Sequence, residues 1–120
     1  TFGPLSVRSY KQKINKKMNH KAVAMCLSDK VLENKLIILD ALPTDGKTKT
    51  FSVLRKNLPG NEKKALFLMK ENNLSFLRAI GNASKSEATR AIDVNVKDLL
   101  HNQYLIATKE SIDVLTKRLA

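Results

Sequence analysis

Two carboxylates stand where an α/β enzyme would use them. Asp40 ends the apolar run KLIILD (35–40), and Asp93 follows a weaker strand signal at Thr89–Ile92. Open parallel sheets gather their catalytic groups at the carboxyl ends of strands. Acid–base chemistry needs a second group beside the first, and the spacing supplies none to either aspartate. His20 and His101 lack a Cys, His or carboxylate at i+3 or i+4, the spacing that brings metal ligands onto one helix face. Cys26 falls on an apolar helical face, where burial leaves a thiol unreactive. Gly3, Gly46, Gly60 and Gly81 are too dispersed for a dinucleotide-binding loop, and there is no Walker loop. The residues therefore point to no metal, no cofactor and no catalytic step. A small α/β nucleotide-binding protein or enzyme, with its site at Asp40 and Asp93, is the alternative reading, and fold analogy alone supports it.

Binding chemistry has a stronger signal. The stretch SYKQKINKKMNHKA (9–22) carries five lysines and a histidine without a carboxylate. From Thr1 to Lys21 the basic residues are Arg8, Lys11, Lys13, Lys16, Lys17 and Lys21, while the remaining chain holds sixteen basic and eleven acidic residues. More than half of the net charge of +11 thus lies in the first sixth of the sequence. Such a surplus raises a potential that phosphates feel over roughly 8 Å at physiological salt. Charges that serve only solubility are normally mixed in sign, so a segment free of acids points to a polyanionic partner. Nucleic acid is the first candidate and an anionic membrane surface the second. Tyr10, among the lysines, offers a ring on which an unpaired base would stack.

The elements that must position these groups follow from the apolar periodicity. A chain of 120 residues with 42% apolar content is one domain's worth of core. No run approaches the length of a membrane span, and no apolar segment of the secretory type follows the basic residues. A single cysteine suits a reducing compartment. Thr1 in place of Met reads as a processed or trimmed chain. Residues 1–14, with Gly3, Pro4 and no sustained period, read as an extended basic arm, and residues 15–120 as a single α/β domain. Asn15 is placed to cap a helix whose inner face holds Ala22, Val23, Cys26, Leu27 and Val31, leaving Lys17, His20 and Lys21 on another face.

Next come a strand at 35–40, a turn at LPTDGK (42–47), and a helix capped by Thr48 with Phe51, Leu54 and Leu58 inward until Pro59-Gly60 stops it. ALFLM (65–69) is a second buried strand. Asn72 or Asn73 opens a helix bearing Leu74, Leu77 and Ile80, closed by Gly81. The loop NASKSE (82–87) leads to the weak strand at 89–92, a helical turn at 96–100 and a last strand, YLIA (104–107). Thr108 caps a final helix carrying Ile112, Leu115 and Leu119. Strands that are apolar at consecutive positions must be covered on both faces. With strands and helices alternating, the expected fold is a three-layer α/β/α, Rossmann-like sandwich on a four-stranded parallel sheet.

GPLSVRSYKQKINKKM, followed by a helix and by KLIILD, resembles the bacterial-type large-subunit ribosomal protein four family, in the segment that leaves its long loop. GKTKTF (46–51), VNVKDLL (94–100) and TKESIDVL (108–115) are similar to further family stretches in the same order, so the resemblance covers essentially the whole chain. It implies a four-stranded Rossmann-like domain in a structural constituent of the large ribosomal subunit. Such a protein binds ribosomal RNA early in assembly, sends its loop to the wall of the peptide exit tunnel, meets neighbouring ribosomal proteins and represses its own mRNA. It also implies that Thr1 lies on the returning side of that loop, and places the protein on a cytoplasmic ribosome, with an organellar one also open. The family's Arg-Asn pair near the end of the third helix is replaced by AIGNAS, so no role passes to Arg78.

On this reading Arg8, Lys11, Lys13, Lys16, Lys17 and Lys21 contact RNA phosphates, and Tyr10, Asn15 and His20 add hydrogen bonds or stacking. Lys47 and Lys49 form a second, weaker patch. An apolar surface left uncovered by the family's upstream helix is expected to let this chain self-associate.

Overall fold

The computed structural model of the chain describes Gly3, Lys13 and residues 15–60, 62–81 and 83–120. Helix α1 (Lys16–Leu32) leads into strand β1 (Leu36–Leu39), and strand and helix then alternate through α2 (Thr48–Asn57), β2 (Ala65–Met69), α3 (Leu74–Ile80), β3 (Ser86–Arg90), α4 (Val96–His101), β4 (Tyr104–Thr108) and α5 (Lys109–Leu119). Every strand pairing is parallel, and the order across the sheet is β1-β4-β2-β3. The central strands β2 and β4 face helices on both sides. Leu66, Leu68, Leu105 and Ala107 pack with Val23, Leu99 and Leu115 of α1, α4 and α5. Ala65, Phe67, Met69 and Ile106 point the other way, onto Phe51, Phe76 and Ile80 of α2 and α3. The chain is therefore the expected three-layer sandwich.

The reversal in strand order explains why the helices divide between the layers. Moving from β1 to β2 to β3 the chain advances in one direction, with α2 and α3 on one face. It then turns back to place β4 between β1 and β2, and a crossover of the same hand puts α4 on the opposite face.

Several boundaries differ from those expected. The third strand is Ser86–Arg90 rather than 89–92, and takes in the end of the supposed loop. As an edge strand, SEATR has no apolar run; backbone pairing fixes it, with Ala65 opposite Ser86 and Met69 opposite Arg90. The other edge, β1, is less covered than its composition suggests: Ile38 is 50% exposed, whereas every residue of β2 is buried. In α3 the inner face is Phe76, Ala79 and Ile80, while Leu74 is exposed. Thr48 is the first helical residue of α2 rather than its cap. Val31 of α1 turns outward, and Lys30 is buried in its place.

The two cores differ in character. Phe51, Phe67 and Phe76 form a closed triangle with ring centroids 5.3–5.8 Å apart, two of the three contacts edge-on, an arrangement that the ring quadrupoles favour. The α1/α4/α5 side is aliphatic. Gly60 supports the edge of the aromatic side. Its φ of +71° is left-handed, and a Cβ there would run into the ring of Tyr104. Gly60→Ala should therefore cost about 2 kcal/mol or more of unfolding free energy, read as a lowered urea midpoint with unchanged slope.

Candidate nucleic-acid interface

Of the sequence-derived contact residues, Lys13, Asn15, Lys16, Lys17, His20 and Lys21 lie among the described residues, whereas Arg8, Tyr10 and Lys11 lie outside them. Lys16, Lys17 and Lys21 occupy the first two turns of α1 and are exposed; His20 is half-buried. Three ion pairs occur among the described residues, Lys35–Glu33, Arg90–Asp93 and Lys109–Asp40, so none of these lysines has a carboxylate partner there.

The backbone beneath them is equally open. Asn15 takes the N-cap position with extended φ and ψ, but its side chain makes no capping hydrogen bond. The start of α2, with Lys47 at the N-cap, likewise has no side-chain cap, but α3, α4 and α5 are met differently. Asn73 accepts from the Phe76 amide at α3, Asn95 from the Asp98 amide at α4, and Thr108 and Ser111 form a reciprocal capping box at α5. A helix start carries partial positive charge and unpaired N–H groups. Lysines in the first turn, with no acidic residue there, add to that charge, and an approaching anion relieves both.

The inner face of α1 fixes where this charge points. Val23, Cys26 and Leu27 pack onto the aliphatic core, and Lys30 completes the row at the next helical spacing. Its Nζ donates to the carbonyls of Asn102, at 2.7 Å, and Gln103, at 3.2 Å, in the turn between α4 and β4. Desolvation, and next the charge of Lys35, lower the Lys30 pKa from its ordinary value. The period 23, 26, 27, 30 is present in the sequence, but an apolar pattern selects Val31 as its last member and a charged Lys30 gives no such signal.

Lys47 and Lys49 are exposed at the start of α2, in the opposite helix layer, so the fold does not join them to the α1 lysines. Here the chain supplies its own anion. Asp45 accepts from the Thr50 hydroxyl at 2.6 Å and from the Lys47 amide at 3.2 Å, and these two bonds hold its carboxyl below the usual aspartate range.

The amino-acid sequence that builds this sheet and its lysine-rich first helix has counterparts among known proteins. Residues 1–118 match the Ribosomal protein L4/L1 family. The chain belongs to that family. Two similar relatives carry the name large ribosomal subunit protein uL4, from Mycoplasma capricolum subsp. capricolum and Mycoplasma mycoides subsp. mycoides SC. Each is 35% identical over 112 residues, which is 92% of this chain and 54% of the relative. The chain thus spans about half the length of the curated relatives it matches.

In this L4-family chain the two aspartates of the enzyme reading are held apart. β1 and β3 are opposite edges of the sheet, three strand spacings or about 14 Å from one another. Asp40 is bound to Lys109 at 2.8 Å and Asp93 to Arg90 at 2.6 Å. Lys109 holds the Asp40 carboxyl below its ordinary pKa. A groove of about 680 Å³ does run along the carboxyl ends of β1, β4 and β2, past Asp40, Asn72, Asn73 and Thr108. Asp40 and Glu110 are both among its lining residues, and Asp93 is not. No helix among the described residues is long and apolar enough to cross a membrane.

The anchoring of α1 can be measured directly. Lys30→Met keeps the buried stem and removes both hydrogen bonds, so it should lower stability by about 1–2 kcal/mol. Hydrogen exchange should show the loss concentrated in the second half of α1 and in the turn at Asn102, with the Phe51–Phe67–Phe76 side unaffected.

Proposed function

We propose that this chain is the RNA-gripping part of a structural protein of the large ribosomal subunit, working without a catalytic step. Residues 1–14 serve as a basic arm, and the single α/β domain of residues 15–120 holds that arm against ribosomal RNA. The observation that carries this reading is the start of α1: Lys16, Lys17 and Lys21 exposed, no acid in the first turn and no side-chain cap. Family membership and the relatives' printed names support it. Lys13 and the arm residues Arg8 and Lys11 extend the phosphate-binding run, and Asn15, His20 and Tyr10 add polar and stacking contacts. Lys47 and Lys49 contribute less, because Asp45 already answers the charge beside them. The same surface serves for binding the chain's own mRNA, and the ribosome of the cytoplasm is the setting we assign.

Each lysine that meets a phosphate adds about 0.7–0.9 to the slope of log affinity against log salt. Replacing Lys13, Lys16, Lys17 and Lys21 together by Gln should therefore flatten that slope by about 3 in filter binding to large-subunit ribosomal RNA, with the urea midpoint unchanged. A slope equal to that of the unaltered chain would overturn the proposal.

A second surface concerns protein partners. Met18, Met25 and Leu32, each two helical turns from the next, are 62–81% exposed on α1. We infer that this stripe packs against a neighbouring ribosomal protein or, in the isolated chain, against a second copy. Light scattering should then show concentration-dependent dimers that Met25→Lys abolishes.

A further inference from the structure

Residues 1–21 carry a net charge of +6, and a second, larger surplus lies further along the chain. Residues 46–85 hold nine basic residues against Glu62 and Glu71, a net +7, while the remainder, 22–45 and 86–120, holds seven basic against nine acidic. This stretch builds α2, β2 and α3, and its two helices form the layer opposite α1. Neither α2 nor α3 contains a carboxylate, whereas α4 and α5, on the α1 side, mix acids with bases. Mixed signs are enough for solubility, so a layer of one sign needs another reason.

The charges of this layer face solvent. Lys49 and Lys56 stand two helical turns apart, about 10 Å, on the outward side of α2; Arg78 of α3, and Lys63 and Lys85 in the adjoining turns, are exposed as well. Among the described residues none of the five forms an ion pair. Asp45 is taken up by the Thr50 hydroxyl and the Lys47 amide, and Glu62 and Glu71 lie in turns, off both helices. Arg55 is the exception. Its Nη1 and the Ser86 Oγ are enclosed between α2 and β3, and its Nη2 donates to the carbonyls of Gly60, at 2.8 Å, and Lys63, so this cation secures the turn after α2.

We propose that the α2/α3 layer is a second RNA-binding face, and that the domain joins two RNA segments, one on each side of its sheet. The inference rests on the RNA-binding reading of α1 and extends it from gripping one segment to bridging two. Charge spread over a whole layer, rather than gathered in a pocket, suits the regularly spaced phosphates of an extended polyanion. The sheet sets the number of segments. α1 and α2 lie on opposite sides of it, each layer a helix diameter of about 10 Å thick, so a straight stretch of RNA laid on one face does not reach the other. Once one segment is held, a second that belongs to the same RNA arrives at a raised effective concentration.

The test uses two short RNA duplexes of identical sequence, one carrying a donor dye and the other an acceptor, at physiological salt and below the chain concentration at which light scattering detects dimers. Energy transfer is expected to rise and then fall as chain is added, the falling limb marking chains that each hold a single duplex. Replacing Lys49, Lys56, Arg78 and Lys85 together by Gln should remove the transfer, while filter binding still shows one duplex bound and the urea midpoint is unchanged. Poly-L-glutamate at equal charge concentration should leave the transfer in place. Transfer retained by the fourfold variant, or absent from a chain that binds duplex, would overturn the proposal. So would transfer lost to poly-L-glutamate with one duplex still bound, which would make the face one for an acidic protein. A chain that binds no duplex at all would overturn the α1 reading as well.

Discussion

All four strands run in the same direction, and most of the molecule's electrostatics follows from that. Parallel neighbours have to be joined by crossovers, so each helix after β1 returns against the strands, and its positive end arrives at the carboxyl edge of the sheet. α1, which feeds β1 from outside, obeys the same polarity. The last turns complement this arrangement with Lys30, Arg55 and Lys56, Arg78, His101, and Lys117 and Arg118, each placed where a helix is partially negative. At the opposite ends Asp45, Asn73, Asn95 and Thr108 answer the free amides. Among the described residues α2, also without a side-chain cap, has Asp45 on its Lys47 amide, whereas α1 begins with lysines and no such answer. Its charge is out of balance by construction, which is why an external polyanion is the natural complement.

The sheet also separates two kinds of packing. On the α2/α3 face three phenylalanines lock together, and directional ring contacts of that sort specify one arrangement. On the other face the core is Val, Leu and Ala, and position there is set instead by polar stitches at its margin. Lys30 reaches the Asn102 and Gln103 carbonyls, and Arg118 reaches those of Ala91 and Val94 at 3.1 and 2.7 Å. Both are long cations whose stems cover apolar surface while their heads satisfy carbonyls that helix ends and turns leave open. The basic composition of the chain is therefore not all directed outward.

Much of this was legible before any coordinates. KLIILD, ALFLM and YLIA announced a sheet covered on both faces, and the cap at Thr108 and the stop at Pro59-Gly60 stand where their chemistry puts them. What escaped was whatever depended on neighbours distant in sequence. β3 is polar because an edge strand needs only its partner's backbone, so SEATR carried no apolar signal. Leu74 looked like core and Phe76 was passed over, because a seven-residue helix is too short for periodicity to choose its inner face. At the interface, exposed lysines at the start of α1 were evident from composition alone, whereas the missing cap at Asn15 was not, since asparagine is a good capping residue by type. The enclosed Arg55 and Ser86 had no sequence signature, because their common surroundings arise only when α2 and β3 come together.

One consequence of Lys30 is mechanical. Seventeen residues of α1 rise about 25 Å, yet the grip on the body begins at Val23 and tightens at Lys30, leaving the first turn outboard like the free end of a beam. A tug on that free end is passed to the aliphatic core through Val23 and to the Asn102 turn through Lys30. Whatever takes hold of the lysines thus pulls on the sandwich itself, because the rod is one of its layers.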